Sequence, residues 1–349
     1  MNVEAWERDV TLRMPFKFGI VTLRKAPQLF VRVTLRLADG QQGNGVSAEI
    51  LAPKWFDKNP ALSNDQNFQQ LRDAVAIAAR LYRGAGEPAT AFGLHAALAK
   101  THLDACAKHY LNPLVAGFGT ALLDRAIIDG LGRMRGKSVF SLVNSNALGI
   151  DASTAPDLGT TDLDDFLAGL HPAASIGARH TVGLVDAITE KDIAEDDRVG
   201  DGLPESLETA IDQYGLTYFK LKVSGKINAD LDRLSRIAAV LNRSERAYWA
   251  TLDGNEQYDA VEPVIELWHR MRASPDLTRL CNAVLFIEQP INRAQALNQN
   301  VAELAALKPV EIDESDATMC AFLTAKAMGY EGVSSKSCKG FYRSLLNRA

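Results

Sequence analysis

The pattern of hydrophobic and polar positions changes rhythm twice along the chain. Over residues 10–50 apolar positions alternate or run β-rich, as in Phe16-Lys-Phe18 and Gln28-Leu-Phe-Val-Arg-Val-Thr-Leu-Arg-Leu37, and this predicts strands. Ala38-Asp-Gly40 is a turn signal and Gly43-Asn-Gly45 punctuates the next strand, so the segment reads as an antiparallel meander. Residues 67–83 and 91–111 shift to a helical period. Gly119-Thr120 opens a further helix, Ala121-Leu-Leu-Asp-Arg-Ala-Ile-Ile-Asp-Gly-Leu131, ending near Gly136. Residues 144–177 are rich in Asp, Ser, Thr, Gly and Pro and predict a connection with one short helix over 162–170.

Beyond that connection short apolar runs alternate with helical stretches. Strands are expected at 180–185, 218–223, 248–252, 283–287, 310–312 and 331–335, with helices at 228–241, 261–272, 294–307 and 317–328 and a last one after Gly340. Such alternation implies βα units and a parallel sheet. The expected organisation is an α+β domain over residues 1–142 and a (β/α) domain over 143–349.

Composition narrows the class. The 349 residues are 47% hydrophobic and 23% charged, as in an ordinary globular protein. A net charge of −5 argues against nucleic-acid binding, and the absence of a long uncharged apolar run argues against a membrane span. The polar start Met1-Asn-Val-Glu-Ala-Trp-Glu-Arg-Asp9 is unlike a signal peptide. Cys106, Cys281, Cys320 and Cys338 lack metal-type spacing and read as reduced core or near-core thiols of a cytoplasmic protein. His95, His102 and His109 share one helix stripe; successive members lie roughly 10 Å apart, too far for one ion, and they read as partly exposed.

Chemistry gathers in the second half. In Tyr218-Phe-Lys-Leu-Lys-Val223, Lys220 and Lys222 are two apart on a predicted strand and share a face. On an edge strand they are solvated lysines. Inside a barrel they depress each other's pKa and supply a base near neutral pH. The strands that follow end in Leu252-Asp253-Gly-Asn255, Phe286-Ile-Glu288-Gln-Pro290, Ile312-Asp313-Glu-Ser315 and Ser335-Lys336. One such carboxylate reads as a helix cap or a loop residue. In a parallel barrel, Lys222, Asp253, Glu288, Asp313 and Lys336 meet at the C-terminal rim, where active sites lie. Asp253, Glu288 and Asp313 suit a hard divalent cation, with Mg²⁺ the first expectation. Lysines on opposite sides can take a proton from a carbon next to a carboxylate and return it to the other face.

Taken together, Lys220-Leu-Lys222, Asp253-Gly-Asn255, Glu288-Gln-Pro290, Asp313-Glu-Ser315 and Lys336 resemble the enolase superfamily in its mandelate racemase/muconate lactonizing enzyme family. Residues 31–49 resemble that family's capping-domain sheet, and residues 121–142 the helix that closes it. The resemblance implies a TIM-type barrel under a substrate-selecting cap, with Mg²⁺ on Asp253, Glu288 and Asp313. It implies Lys222 and Lys336 as the acid/base pair and Lys220 as an electrostatic helper. The substrate would be a small carboxylate, and the outcomes open are racemisation or epimerisation, cycloisomerisation, and β-elimination. Residues 16–22 and the stretch around Trp55 are the expected cap loops over the barrel mouth, or else packing at the domain interface.

Three departures stand out. Tyr218 occupies a position where the family commonly has Thr, and residues 186–214 read as a long acidic insertion. Only six strands can be counted from His180 onward, whereas a closed barrel takes about eight strands and 250 residues. The expectation is a barrel incomplete at its C-terminal end, lacking its last strands and the return to the cap, in a chain shorter than the natural protein. A homo-oligomer is expected if the complete barrel forms. The competing expectation is a non-catalytic fragment that keeps only a metal site or a structural role.

Overall fold

The computed structural model describes residues 1–19, 21–86 and 90–349. Its first sheet has three strands, β1 (Asn2–Phe18), β2 (Val21–Arg36) and β3 (Gln42–Ile50), in the order β1-β2-β3. The pairs are antiparallel, from Asn2↔Thr34 to Phe18↔Val21 and from Gln28↔Ile50 to Arg36↔Gln42. β1 begins well ahead of residue 10. Its first nine residues carry no apolar alternation because that part of the strand is largely exposed. β2 buries Leu29, Val31, Val33 and Leu35 on one face, which is the period-2 signal of a half-buried strand.

Three helices cover that face: α1 (Asn64–Gly84), α2 (Ala91–Lys108) and α3 (Pro113–Arg135). Ser63 and Gln66 form a capping box at the start of α1, and Thr90 caps α2. Asn112 accepts the Leu114 and Val115 N–H groups at the start of α3, with Pro113 in the first turn. α3 therefore starts before the Gly119-Thr120 signal, and Gly119 lies inside it. The glycine serves packing there: a Cβ at Gly119 would sit 2.3 Å from the Ala74 carbonyl of α1. Gly45 of β3 is the same case, since its Cβ would fall 2.0 Å from the Ala126 carbonyl of α3. On α2 the histidines diverge. His109 is exposed and His95 bonds Asp124, but His102 is buried beside Cys106 with its Nε2 at the Ala116 carbonyl, contrary to the partly exposed stripe expected.

Two short helices follow, α4 (Val139–Asn144) and α5 (Leu163–Ala168). A parallel sheet then runs in strict chain order: β4 (Arg179–Val182), β5 (Tyr218–Lys222), β6 (Trp249–Asp253), β7 (Val284–Glu288), β8 (Val310–Ile312) and β9 (Gly332–Val333). The connections carry α6 (Leu207–Tyr214), α7 (Ile227–Leu241), α8 (Glu262–Ala273), α9 (Thr278–Ala283), α10 (Arg293–Ala296), α11 (Ala302–Leu307) and α12 (Ala321–Ala327). The single helix expected over 294–307 is two pieces, broken at the polar run Asn298-Gln299-Asn300. Phe219, Leu221, Leu252, Ile287, Val310 and Ile312 point one way and form a core with residues of the connecting helices such as Ile237, Ala238 and Leu267. The alternate positions, including Lys220, Lys222, Asp253 and Glu288, fall on the inner face. Among the described residues β4 pairs only with β5 and β9 only with β8, so the sheet is an arc of six strands.

The acidic segment after β4 holds two 3₁₀ turns, Glu190–Asp192 and Glu195–Asp197, before α6. The chain after β9 packs against the first domain. The last helix, α13 (Phe341–Leu346), sets Tyr342 edge-on to Phe92 of α2 at 5.1 Å and beside His95 at 5.0 Å. Of the cysteines, Cys106 and Cys281 are buried and Cys338 is half-buried, but Cys320 is exposed and departs from the core placement expected. Among the described residues no helix is long and apolar enough to cross a membrane.

Candidate active site

Sheet register explains why the charged residues meet. Lys222 pairs with Asp253, and Asp253 with Glu288, so three chemistry-bearing side chains stand on one rung. Asp313 follows the last residue of β8, which pairs with Val333, and Lys336 follows β9 after two intervening residues. All six residues singled out in the sequence converge. The Lys220 ammonium lies 2.6 Å from Asp253 Oδ2 and 2.7 Å from each Glu288 oxygen. Lys222 donates to Asp253 Oδ2 at 2.5 Å and to the Asn255 side-chain oxygen. Lys336 donates to Asp313 Oδ2 and to Ser334 Oγ and stands 3.5 Å from Glu288 Oε1. Asp253 and Glu288 are 0% exposed and Asp313 1%, so these are desolvated charges that survive through pairing.

The two outer lysines sit in different electrostatic surroundings. Burial pushes Lys222 below the ordinary lysine range; Asp253 opposes that and Lys220 adds to it. Lys220 and Lys336 are raised, since their carboxylate partners outweigh the burial that would lower them. The same contest, with burial opposing, leaves Asp253 and Asp313 below the usual carboxylate range. Glu311 and Glu314, next to this cluster, are pushed up to about 7 by burial first and by neighbouring carboxylates second.

Several residues here escaped the sequence reading. Lys339 is 1% exposed and reaches the Asp313 carbonyl at 3.0 Å, Asp313 Oδ1 at 3.3 Å and Asp316 Oδ2 at 3.2 Å. Its only signal was its place three residues after Lys336. Glu314 accepts from Asn255 Nδ2 with one oxygen and buries the other without a partner. Glu256, directly after the Asp253-Gly-Asn255 run, pairs with Arg293 and Lys58. Of the expected cap loops, the stretch around Trp55 reaches the rim, with Lys336 Nζ 5.4 Å from the centre of the Trp55 ring. Residues 16–22 form the end of the β1–β2 hairpin, in which Ile20 lies outside the described residues. Gly19 there places its Cβ position 3.6 Å from both Lys58 Nζ and Gln257 Nε2.

Asp253, Glu288 and Asp313 fit a hard cation in donor type and in place, being buried together without histidine or cysteine. Their oxygens are engaged by ammonium groups. Among the described residues no three His, Cys, Asp or Glu side chains are gathered as a ready metal cluster.

No protein-family model matches the chain, and no curated protein sequence matches it. Solved structures do. A mandelate racemase/muconate lactonizing protein from Herpetosiphon aurantiacus is 20% identical with a TM-score of 0.63, over 99% of this chain and 76% of that one. An enolase from Bradyrhizobium, complexed with magnesium and mandelic acid, is 17% identical with a TM-score of 0.60, over 94% and 71%. A dipeptide epimerase from Cytophaga hutchinsonii, complexed with Mg and the dipeptide D-Ala-L-Val, is 19% identical with a TM-score of 0.59, over 99% and 74%. The protein has the capped (β/α) fold of the enolase superfamily. Many of its structural neighbours are of the mandelate racemase/muconate lactonizing enzyme family.

Proposed function

We propose that this protein is an enzyme, an isomerase or lyase, that removes the proton α to the carboxylate of a small acid with the help of Mg²⁺. The observation that carries the reading is the single rung Lys222–Asp253–Glu288 with Asp313 and Lys336 across from it. Lys222, buried and shifted toward the neutral amine, is the base that takes the α-proton. Lys336, held as an ammonium by Asp313, is the acid on the opposite side. Lys220 keeps a positive charge between Asp253 and Glu288 and by repulsion favours the neutral form of Lys222. Asp253, Glu288 and Asp313 would hold the cation, which when bound neutralises charge building on the substrate carboxylate. Trp55 faces Lys336 from the cap, 5.4 Å from its ammonium. Neighbours with mandelic acid and with a dipeptide bound support a small carboxylate as substrate.

A second reading, binding without turnover, draws on β4 and β9 each being paired on one side only among the described residues. One experiment separates the two. A panel of α-substituted carboxylic acids, N-acyl amino acids and dipeptides is incubated in D₂O with Mg²⁺, and α-deuteration is followed by NMR. The proposal expects exchange for at least one acid, lost in Lys222→Ala and Lys336→Ala. Exchange that persists in both variants overturns it. Absence of exchange together with a melting temperature that Mg²⁺ raises in the parent but not in Glu288→Gln selects the second reading.

A further inference from the structure

Glu256 is a buried carboxylate outside the rung described above, with its side chain 1% exposed. Arg293 meets it with a fork: Nε lies 2.7 Å from Oε1 and Nη2 2.8 Å from Oε2, and the Arg293 backbone N–H donates to Oε1 at 2.8 Å. The same guanidinium then crosses to the cap. Nη1 donates to the Phe56 carbonyl at 3.0 Å and Nη2 to the Trp55 carbonyl at 2.7 Å. Lys58 answers from the cap side, 2.7 Å from Glu256 Oε2 and donating to the Asn255 carbonyl. The donors of one arginine are thus divided between a barrel carboxylate and two cap carbonyls.

The backbone beneath this pair is held out of its ordinary conformations. Asn255, Glu256 and Gln289 have φ of +42°, +65° and +34°. Such values in non-glycine residues persist only where the surroundings fix them, and they cluster at functional sites. The loop after β6 is pinned to the loop after β7 by Gly254 N–H to Glu288 O and Glu256 N–H to Gln289 O. Asn255, at the centre, touches the cap through its carbonyl and Lys222 through its side chain. Trp55, whose carbonyl Arg293 holds, lies over Lys336.

We propose that Glu256 and Arg293, with Lys58, form an interdomain latch, and that both are positioning residues for the two lysines. They act on Lys222 through Asn255 and on Lys336 through Trp55. This rests on the proposed function for what the lysines do, but the latch is a structural claim with its own readout. A lysine at 293 keeps the charge and loses the fork, so it is not a conservative replacement.

The test is hydrogen–deuterium exchange with mass spectrometry on the parent, Arg293→Ala, Arg293→Lys and Glu256→Gln, without substrate. Amides of residues 53–62 are expected to exchange at least about tenfold faster in Arg293→Ala and Glu256→Gln, with β2 and β6 keeping the parent's rates. Arg293→Lys is expected in between. Millimolar guanidinium, unlike equal ammonium, returns Arg293→Ala toward the parent. Acrylamide quenching of tryptophan fluorescence rises in Arg293→Ala, and that rise is absent in a Trp55→Phe background. Unchanged exchange over 53–62 overturns the latch, as does acceleration shared equally with β2 and β6, which marks general destabilisation. If Arg293→Ala does not fold, Arg293→Lys and Glu256→Gln carry the same readout. None of these measurements needs turnover, so a chain without α-proton exchange overturns the enzymatic reading and leaves the latch result standing.

Discussion

Two of the arginines that join the cap to the barrel do the same job in different media. Arg293 forms its fork with a carboxylate that is 1% exposed. Arg13, on β1, forms a similar fork with Asp201 in the acidic segment after β4, at 2.7 and 2.6 Å, and adds the Leu203 and Pro204 carbonyls. Its side chain is 30% exposed and that of Asp201 38%. The bonds are alike in number and length, so geometry alone does not rank them. Solvent does: a buried pair becomes costly when one partner is removed, whereas an exposed pair is screened and has water as a substitute.

The largest expected difference is at the latch. Glu256→Gln leaves Arg293 and Lys58 with a neutral partner, and unfolding in urea at pH 7 should show a loss of about 3 kcal/mol. Burial raises the pKa of Glu256, but Arg293 and Lys58 outweigh it and hold the group below its ordinary 4.5. Its contribution is therefore present above about pH 4.5 and lost as pH falls through the depressed value, so parent and variant should converge in acid. A gap that stays the same down to the most acidic pH at which both proteins fold would show that the ion pair is not the source.

A smaller effect isolates the loop contact from the charges. A Cβ on Gly254 would stand 2.6 Å from the Pro290 Cα, backbone against backbone. Gly254→Ala should cost about 1–3 kcal/mol in the same assay and weaken the latch without touching a charge. A stability equal to the parent's would mean that the two loops are free to separate there.

The smallest effect belongs to the exposed fork. The Arg13 guanidinium, then the Leu203 N–H, pull the Asp201 pKa down to about 2. The stabilisation is thus present above about pH 4 and disappears as pH falls through about 2. Asp201→Asn should shift the melting temperature by less than about 2 °C at pH 7 and by less still as pH falls through about 2. A drop as large as that of Glu256→Gln would erase the distinction between the two contacts.

The comparison also marks what could be read from the chain. Strand-end carboxylates and lysines were legible because each sits at a fixed offset from an apolar run, and a parallel sheet turns that offset into a common height. Glu256 and Arg293 are separated by a strand and three helical segments, and nothing local marks them as partners. Gly119 announced a helix start in sequence and turned out to be a contact with Ala74. The start of β1 was hidden because a strand exposed to water has no reason to alternate. His102 was misplaced because one stripe of a helix can pass from solvent into a core when its neighbours, here Ala116 and Cys106, differ along its length.

The β1–β2 hairpin has a mechanical consequence. Beyond the three-stranded part of the sheet, β1 runs on from Asp9 to Phe18 as an arm up to about 33 Å long. Its root lies in the cap sheet, its shaft is held at Arg13, and its end at Gly19 rests beside Lys58 of the cap and Gln257 of the barrel rim. An arm of that length is a lever: a tilt of about 5° at the root would carry the far end by about 3 Å, the width of a water molecule. A cap substitution that tilted this arm would move the end of the hairpin at the rim without changing a side chain there.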